Sequence, residues 1–258
     1  MNLWEAILLG TVQGLTEFLP VSSSGHLVII QSLIKGFQQP GVLFDATLHF
    51  GTLLAVTFFL RKEILEILTA LIPSGCRKTA IYIIIATICT GTIGLLFEER
   101  IHLLFTSPQT VSFMLLITGV LLFISDRFQG RRVEKDMNIT DSLVIGIVQA
   151  MALIPGISRS GSTIAFGIFR GLDGAAAARF SFLLSIPAVL GAVVLELKYV
   201  EAIPPPDMLI YLAGMAAAAV TGFLTLGLLL FVIRKRKLSI FAYYCWILGI
   251  STLIIRMI

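Results

Sequence analysis

Long apolar runs recur along this chain, and two of them are cut in the middle by short Ser-, Gly- and Pro-rich segments, Pro20–Gly25 and Pro155–Gly161. A chain that is 57% hydrophobic and only 13% charged cannot clothe a water-soluble core, so its outer surface has to face lipid. Crossing a hydrocarbon layer of about 30 Å takes about 20 apolar residues per helix. Uninterrupted runs predict six full spans: Asp45–Leu60, Ala80–Phe97, Gln109–Ser125, Phe180–Leu197, Met208–Ile233 and Ser239–Arg256. The two broken runs are Leu3–Leu19 with His26–Ile34, and Thr140–Ile154 with Thr163–Phe169. Trp4 to Leu19 makes about 24 Å of helix and the piece after each break is shorter, so both predict re-entrant helix-loop-helix hairpins. The fold class expected is an all-α polytopic membrane protein forming one domain over residues 1–258.

Shifting the chain by 136 residues superposes Gly10, Val12, Gln13, Ser22, Ser24 and Gly25 on Gly146, Val148, Gln149, Ser158, Ser160 and Gly161. This predicts an internal duplication, with one copy over about residues 1–125 and the other over about 138–258. Three spans separate two hairpins that each enter and leave by one face, so the copies should be inverted relative to each other, with the broken helices meeting near the midplane. On that topology one side carries Arg61, Lys62, Arg77, Lys78, Arg127, Arg131, Arg132, Lys135, Arg170, Arg179 and the Arg234–Lys237 run, and the other only Lys35, Arg100, Lys198 and Arg256. Fourteen against four puts both termini and the mouth of the first hairpin outside the cytoplasm. The same count makes Arg234–Lys237 a topology anchor and not a nucleic-acid or phosphoinositide site. Glu5 and Glu17 interrupt the first apolar run, which is expected to belong to the fold and not to a signal peptide. Cys76, Cys89 and Cys245 have no metal or redox spacing and are expected to pack as small apolar groups.

The breaks hold the residues able to do chemistry. Gln13 and Glu17, four apart, share one helical face, Pro20 ends that helix, and Ser22–Gly25 suits the start of a second helix with His26 in its first turn. A helix that begins inside the membrane points free N–H groups and its positive end into the break, where Ser22, Ser23 and Ser24 add hydroxyls, so an anion such as phosphate fits. Pro155-Gly156-Ile157-Ser158-Arg159-Ser160-Gly161-Ser162-Thr163 repeats the device with an arginine. Arginine at membrane depth requires a partner, either Glu17 as a buried counter-ion or the oxygens of a phosphate. Gly10 and Gly14, like Gly146 and Ala150, have a small-xxx-small spacing that permits close helix packing. Asp45 and His49, one turn apart, start a span and are candidates for the surroundings of the site.

Gln13-xxx-Glu17, Ser22-Ser23-Ser24-Gly25-His26 and Pro155-Gly156-Ile157-Ser158-Arg159-Ser160 resemble the bacterial undecaprenyl-diphosphate phosphatases of the bacitracin-resistance family, and the resemblance runs over essentially the whole chain. It implies hydrolysis of undecaprenyl diphosphate to the monophosphate and inorganic phosphate at the outer face of the cytoplasmic membrane, with a divalent cation, Mg²⁺ first and Ca²⁺ as the other candidate. Its partners would be the polyprenyl diphosphate and membrane lipids, with a homodimer compatible and no nucleic acid. Where the family's acidic motif takes Glu or Gln this chain has Gln13, so most cation ligands are expected from the substrate diphosphate, with Glu17 completing the shell. Arg159, Ser22, Ser24, Gly25, Ser158, Ser160, Gly161, Ser162 and Thr163 are expected to hold the diphosphate. His26 is expected to act as base, on Ser23 or on water, with Glu17 fixing its tautomer. The alternative activity is a carrier or flippase for a polyprenyl phosphate or another anion, since inverted repeats with broken helices also build transporters. A carrier has no need of a general base.

Overall fold

The computed structural model describes residues 1–34, 42–69, 76–104, 107–196, 208–235 and 237–255. Eleven α-helices account for most of these residues: α1 (Leu3–Phe18), α2 (Ser23–Leu33), α3 (Val42–Phe59), α4 (Arg61–Thr69), α5 (Cys76–Leu104), α6 (Pro108–Ser125), α7 (Ile139–Met151), α8 (Arg159–Phe169), α9 (Gly174–Glu196), α10 (Met208–Arg234) and α11 (Ser239–Ile255). A 3₁₀ turn, Glu134–Asp136, lies in the connector before α7. Among the described residues there is no strand, only an isolated bridge between Arg132 and Leu172.

The chain is a multi-pass α-helical membrane protein. Four described helices are long and apolar enough to cross a membrane: Lys78–Phe97 within α5, Pro108–Ser125, Gly174–Leu195 and Met208–Arg234. Leu43–Phe59 and Arg61–Thr69 qualify together but meet at 72°, which makes up to five. The expected sixth span, α11, has 17 described residues, about 26 Å of helix, and its expected end at Arg256 lies outside the described residues, as do Leu197, Lys35, Lys198 and Arg236. The outer faces of the long helices are apolar: Ile88 is 62% exposed, Leu96 74%, Leu224 67% and Ile247 67%, an outer surface suited to lipid.

Each break has a local cause. Asn2 caps α1 in a reciprocal box with Glu5, and Leu19, held extended by the following Pro20, ends it. Ser22 then caps α2 and Ser158 caps α8, each hydroxyl accepting the N–H three residues on, from Gly25 at 3.3 Å and from Gly161 at 3.1 Å. The helices after the breaks are both 11 residues long and start 136 residues apart, at Ser23 and Arg159.

The two halves pack across each other: α1 lies on α10, α7 on α5, and α6 on α11. Small residues set the first approach. A Cβ added at Gly10 would stand 2.2 Å from the Gly214 carbonyl oxygen, and one at Gly14 2.5 Å from that of Ala218. Gly146 meets the Ala86 backbone at 2.8 Å in the same manner. Aromatic and aliphatic side chains of α1, α8, α9 and α10, among them Phe18, Ile164, Phe180, Phe182 and Leu226, form the main buried core beneath the breaks. Of the cysteines with described side chains, Cys245 is buried and Cys89 half-buried. The side chain of Cys76 lies outside the described residues.

Several arginines of the basic side also pin the connector before α7. Fully buried Asp141 accepts from Arg132 Nη2 at 2.6 Å and Arg170 Nε at 2.7 Å, and Arg179 pairs with Glu134 at 2.8 Å.

Candidate active site

The two breaks abut. Ser160 Oγ donates to the Leu19 carbonyl at 3.0 Å, and Cβ atoms added at Gly161 and Gly25 would stand 3.1 Å from Pro20 Cβ and 3.3 Å from Gly156 Cα. Gly156 needs its φ of +96°, a conformation side chains resist, and its carbonyl is held by Thr118 Oγ1 at 3.0 Å. The same Thr118 hydroxyl accepts the Ser158 N–H at 3.1 Å, so one side chain of α6 clamps both ends of the second turn. Ser22 is the only non-glycine with positive φ among the described residues, at 68°, so the first turn carries backbone strain.

Glu17 is the centre of the polar cluster. One carboxylate oxygen is ion-paired with Arg159 Nη2. The other accepts the Ser23 hydroxyl at 2.6 Å and Gln13 Nε2 at 2.9 Å. His49 Nδ1 lies 3.0 Å from Gln13 Nε2 and 3.7 Å from Glu17. The shared helical face predicted for Gln13 and Glu17 therefore forms, and so does the Glu17–Arg159 pairing between the two halves. Asp45 is turned away, accepting from Gln31 at 3.5 Å, and does not line the cavity beside Glu17.

His26 differs from expectation. It does not touch Glu17, whose partners leave no place for it, so the tautomer-fixing role given to Glu17 is corrected. The ring is buried on the other side of α2, with Nδ1 2.7 Å from the Ser22 carbonyl and Nε2 2.7 Å from the Tyr244 hydroxyl, and it stacks on the Tyr244 ring at 5.6 Å. A carbonyl only accepts, so Nδ1 carries the proton and Nε2 receives that of Tyr244.

A cavity of about 370 Å³ opens on this cluster. Its polar wall is Glu17, Ser22, Ser23, Ser24, His49, Gln149, Ser158 and Arg159; the rest is one face each of α5 and α9 together with Ala152, Leu153 and Ile157 of the second break. Helix geometry leaves the first N–H groups of α2 and α8 without intrahelical acceptors at this wall. The remaining residues expected at the diphosphate serve the scaffold instead. The Gly25 and Gly161 amides are consumed by the caps, Ser160 reaches Leu19, and Thr163 bonds the Arg159 carbonyl at 2.8 Å and Ser181 at 2.6 Å. Ser162 is buried without a hydroxyl partner and off the cavity wall. Three atoms near the centre are buried and unpartnered: Arg159 Nη1, Gln13 Oε1 and Gln149 Oε1.

No local sequence signal marks Tyr244 and Thr118, which act across 218 and 40 residues of chain. Gln149 does carry one, as the duplicate of Gln13. It donates to Thr90 at 3.1 Å on the cavity wall. No group of three or more His, Cys, Asp or Glu side chains converges among the described residues, so these residues offer no cage for a metal of their own.

Fold and site together define a multi-pass membrane protein with a buried Glu–Arg–Ser centre at the meeting point of two broken helices. The chain belongs to the family of the bacitracin resistance protein BacA, whose family model matches residues 6–251. It is 43% identical over 258 residues to a protein named undecaprenyl-diphosphatase from Halothermothrix orenii, covering 99% of this chain and 98% of that one. Proteins of the same name from Syntrophotalea carbinolica and Methanobrevibacter smithii are 44% and 42% identical, covering 96% and 97% of this chain and 97% and 96% of their own.

Proposed function

We propose that this protein hydrolyses undecaprenyl diphosphate to undecaprenyl phosphate and inorganic phosphate, recycling the carrier lipid for cell-wall synthesis and conferring bacitracin resistance. The observation that carries the reading is a cavity of two characters: one wall carries Arg159, paired with Glu17, beside Ser22–Ser24 and Ser158, and the faces of α5 and α9 are lined mainly by small and apolar residues. That polarity matches a diphosphate on a lipid and suits a small soluble anion less well.

At rest Arg159 neutralises Glu17. An incoming terminal phosphate competes for the guanidinium, whose Nη1 has no protein partner, and takes it bidentately. The two helix ends add N–H donors to the charge that spreads over the phosphoryl oxygens in the transition state. Glu17, released from Arg159, keeps the Ser23 hydroxyl at 2.6 Å and takes its proton. The Ser23 Oγ–P bond forms as the bridging P–O bond breaks and undecaprenyl phosphate leaves. Water then attacks the phosphoserine, releasing inorganic phosphate and restoring the serine. In this scheme Glu17 replaces His26 as the base nearest Ser23. His26 holds the strained Ser22 turn that aims Ser23.

Mg²⁺, with Ca²⁺ as substitute, would arrive on the substrate's own phosphates, since the described residues build no cage of three or more His, Cys, Asp or Glu side chains. Its contribution is charge neutralisation. Six spans and two re-entrant hairpins in inverted copies, with both termini and the cavity mouth on the outer side of the cytoplasmic membrane, complete the proposal. The abutting breaks, the matching helices α2 and α8 and the arginine and lysine asymmetry support it.

Purified protein in detergent separates an enzyme from a carrier, because micelles offer no second compartment. With Mg²⁺, wild-type protein is expected to release phosphate from undecaprenyl diphosphate, chelation with EDTA to stop it and added Mg²⁺ to restore it. No release from wild-type protein under these conditions overturns the reading.

A further inference from the structure

The cavity does not end at the polar centre. Its α5 wall is formed by Thr87, Thr90, Gly91, Gly94 and Leu95, positions of one helical face, and Ala188, Gly191 and Ala192 stand on α9 across from it. A Cβ placed at Gly91 or at Gly191 would meet no atom within 4 Å. Small residues at helix interfaces normally bring backbones together. Here they leave a gap.

The repeat offset supplies the comparison. The 136-residue offset sets α3 against α9 and α10 against α5, so the seam between α3 and α10 is the counterpart of that between α5 and α9. That counterpart is shut: a Cβ at Gly51 would stand 2.4 Å from the Met215 carbonyl oxygen, and one at Gly222 3.4 Å from Ala55 Cβ. One architecture thus closes one seam and holds the other open, and the open one is continuous with the cavity beside Glu17, Ser23 and Arg159. Gln149, 1% exposed, lines the same cavity with its Oε1 unpartnered.

We propose that the α5/α9 seam is the passage in which the isoprenoid tail of the substrate lies, running from the reaction centre into the bilayer, with Gly91 and Gly191 as its gauge. This rests on the lipid-diphosphatase reading. A branched polyisoprenoid needs a slot wider than normal helix contact, apolar along its length, and open sideways to lipid. Ile88 and Val194, 62% and 53% exposed on the outer faces of α5 and α9, continue the apolar surface outward.

The test compares kcat/KM for undecaprenyl diphosphate with kcat/KM for a short prenyl diphosphate in Gly91→Leu and Gly191→Leu. A Cβ at either position meets nothing within 4 Å, so the fold should accept both leucines, and the ratio of long to short substrate is expected to fall at least tenfold. Gly227→Leu on α10, also in open space but off the cavity, should leave the ratio unchanged. A ratio unaltered in both seam variants overturns the passage while leaving the diphosphatase reading intact. Wild-type protein that cleaves neither substrate sinks that reading instead. In that event a diphosphate lipid carrying a photoreactive group on its first isoprene units still decides the passage: labelled peptides from α5 and α9 support it, and label on α3 or α10 overturns it.

Discussion

Glu17 has four polar neighbours around its two oxygens, Arg159, Ser23, Gln13 and His49. Glu17→Gln keeps the shape but cannot take the Ser23 proton, so phosphate release should fall about 10²–10⁴-fold. Arg159→Lys keeps the charge but loses the planar fork, and a fall of about 10²–10³-fold is expected, the range for losing one transition-state donor. Steady-state phosphate release measures both. If Glu17→Gln retained near-wild-type turnover, Glu17 would be a structural counter-ion only. Tyr244→Phe keeps the ring stacked on His26 and removes only the hydroxyl that donates to Nε2. Imidazole ¹⁵N shifts should then change at Nε2 and persist at Nδ1, with kcat lowered several-fold and KM little altered. Unchanged shifts would show that the Tyr244 hydroxyl does not engage the ring.

Helix packing gives its own predictions. Gly14 of α1 lies 2.5 Å, as an added Cβ, from the α10 backbone, so Gly14→Leu should overpack the contact by about 1–3 kcal/mol, read as a lowered unfolding midpoint in detergent. The small-xxx-small spacing of Gly10 and Gly14 makes this close approach legible in the sequence. Cap chemistry likewise places the helix ends at the two breaks, because Pro20, Ser22 and Ser158 act on their own backbone, whereas α5 runs seven residues past its expected end and α9 starts six before its expected start. The face shared by Gln13 and Glu17 is legible too, being a property of one helix. Which way a side chain turns once its helix is packed is not. His26 stands next to the serines in sequence, yet its ring faces α11, since Tyr244 satisfies it there and Glu17 is already saturated. The bend between α3 and α4 at Leu60 escapes a reading of the sequence for a similar reason: an apolar run does not reveal where a helix turns along the surface.

Across the whole molecule, two interlocked halves place their broken helices end to end, then differ. The first supplies Glu17 and Ser23, the second Arg159, and the open seam runs between one helix of each, α5 and α9. The orientation proposed from the arginine and lysine asymmetry is checked with single cysteines in a background lacking the native ones. Gln109→Cys at the start of α6 should react with an impermeant maleimide in intact cells, and Gln129→Cys in the connector before α7 only after permeabilisation. The reverse pattern would invert the orientation. In the proposed mechanism, Ser23 attacks phosphorus with Glu17 as its base. Each in-line displacement inverts the configuration at phosphorus. Hydrolysis of an undecaprenyl diphosphate whose terminal group is a chiral thiophosphate, in isotopically labelled water, therefore gives thiophosphate with net retention if a phosphoserine intervenes. Retention is the result expected; net inversion would mean that water attacks directly and would contradict the role assigned to Ser23.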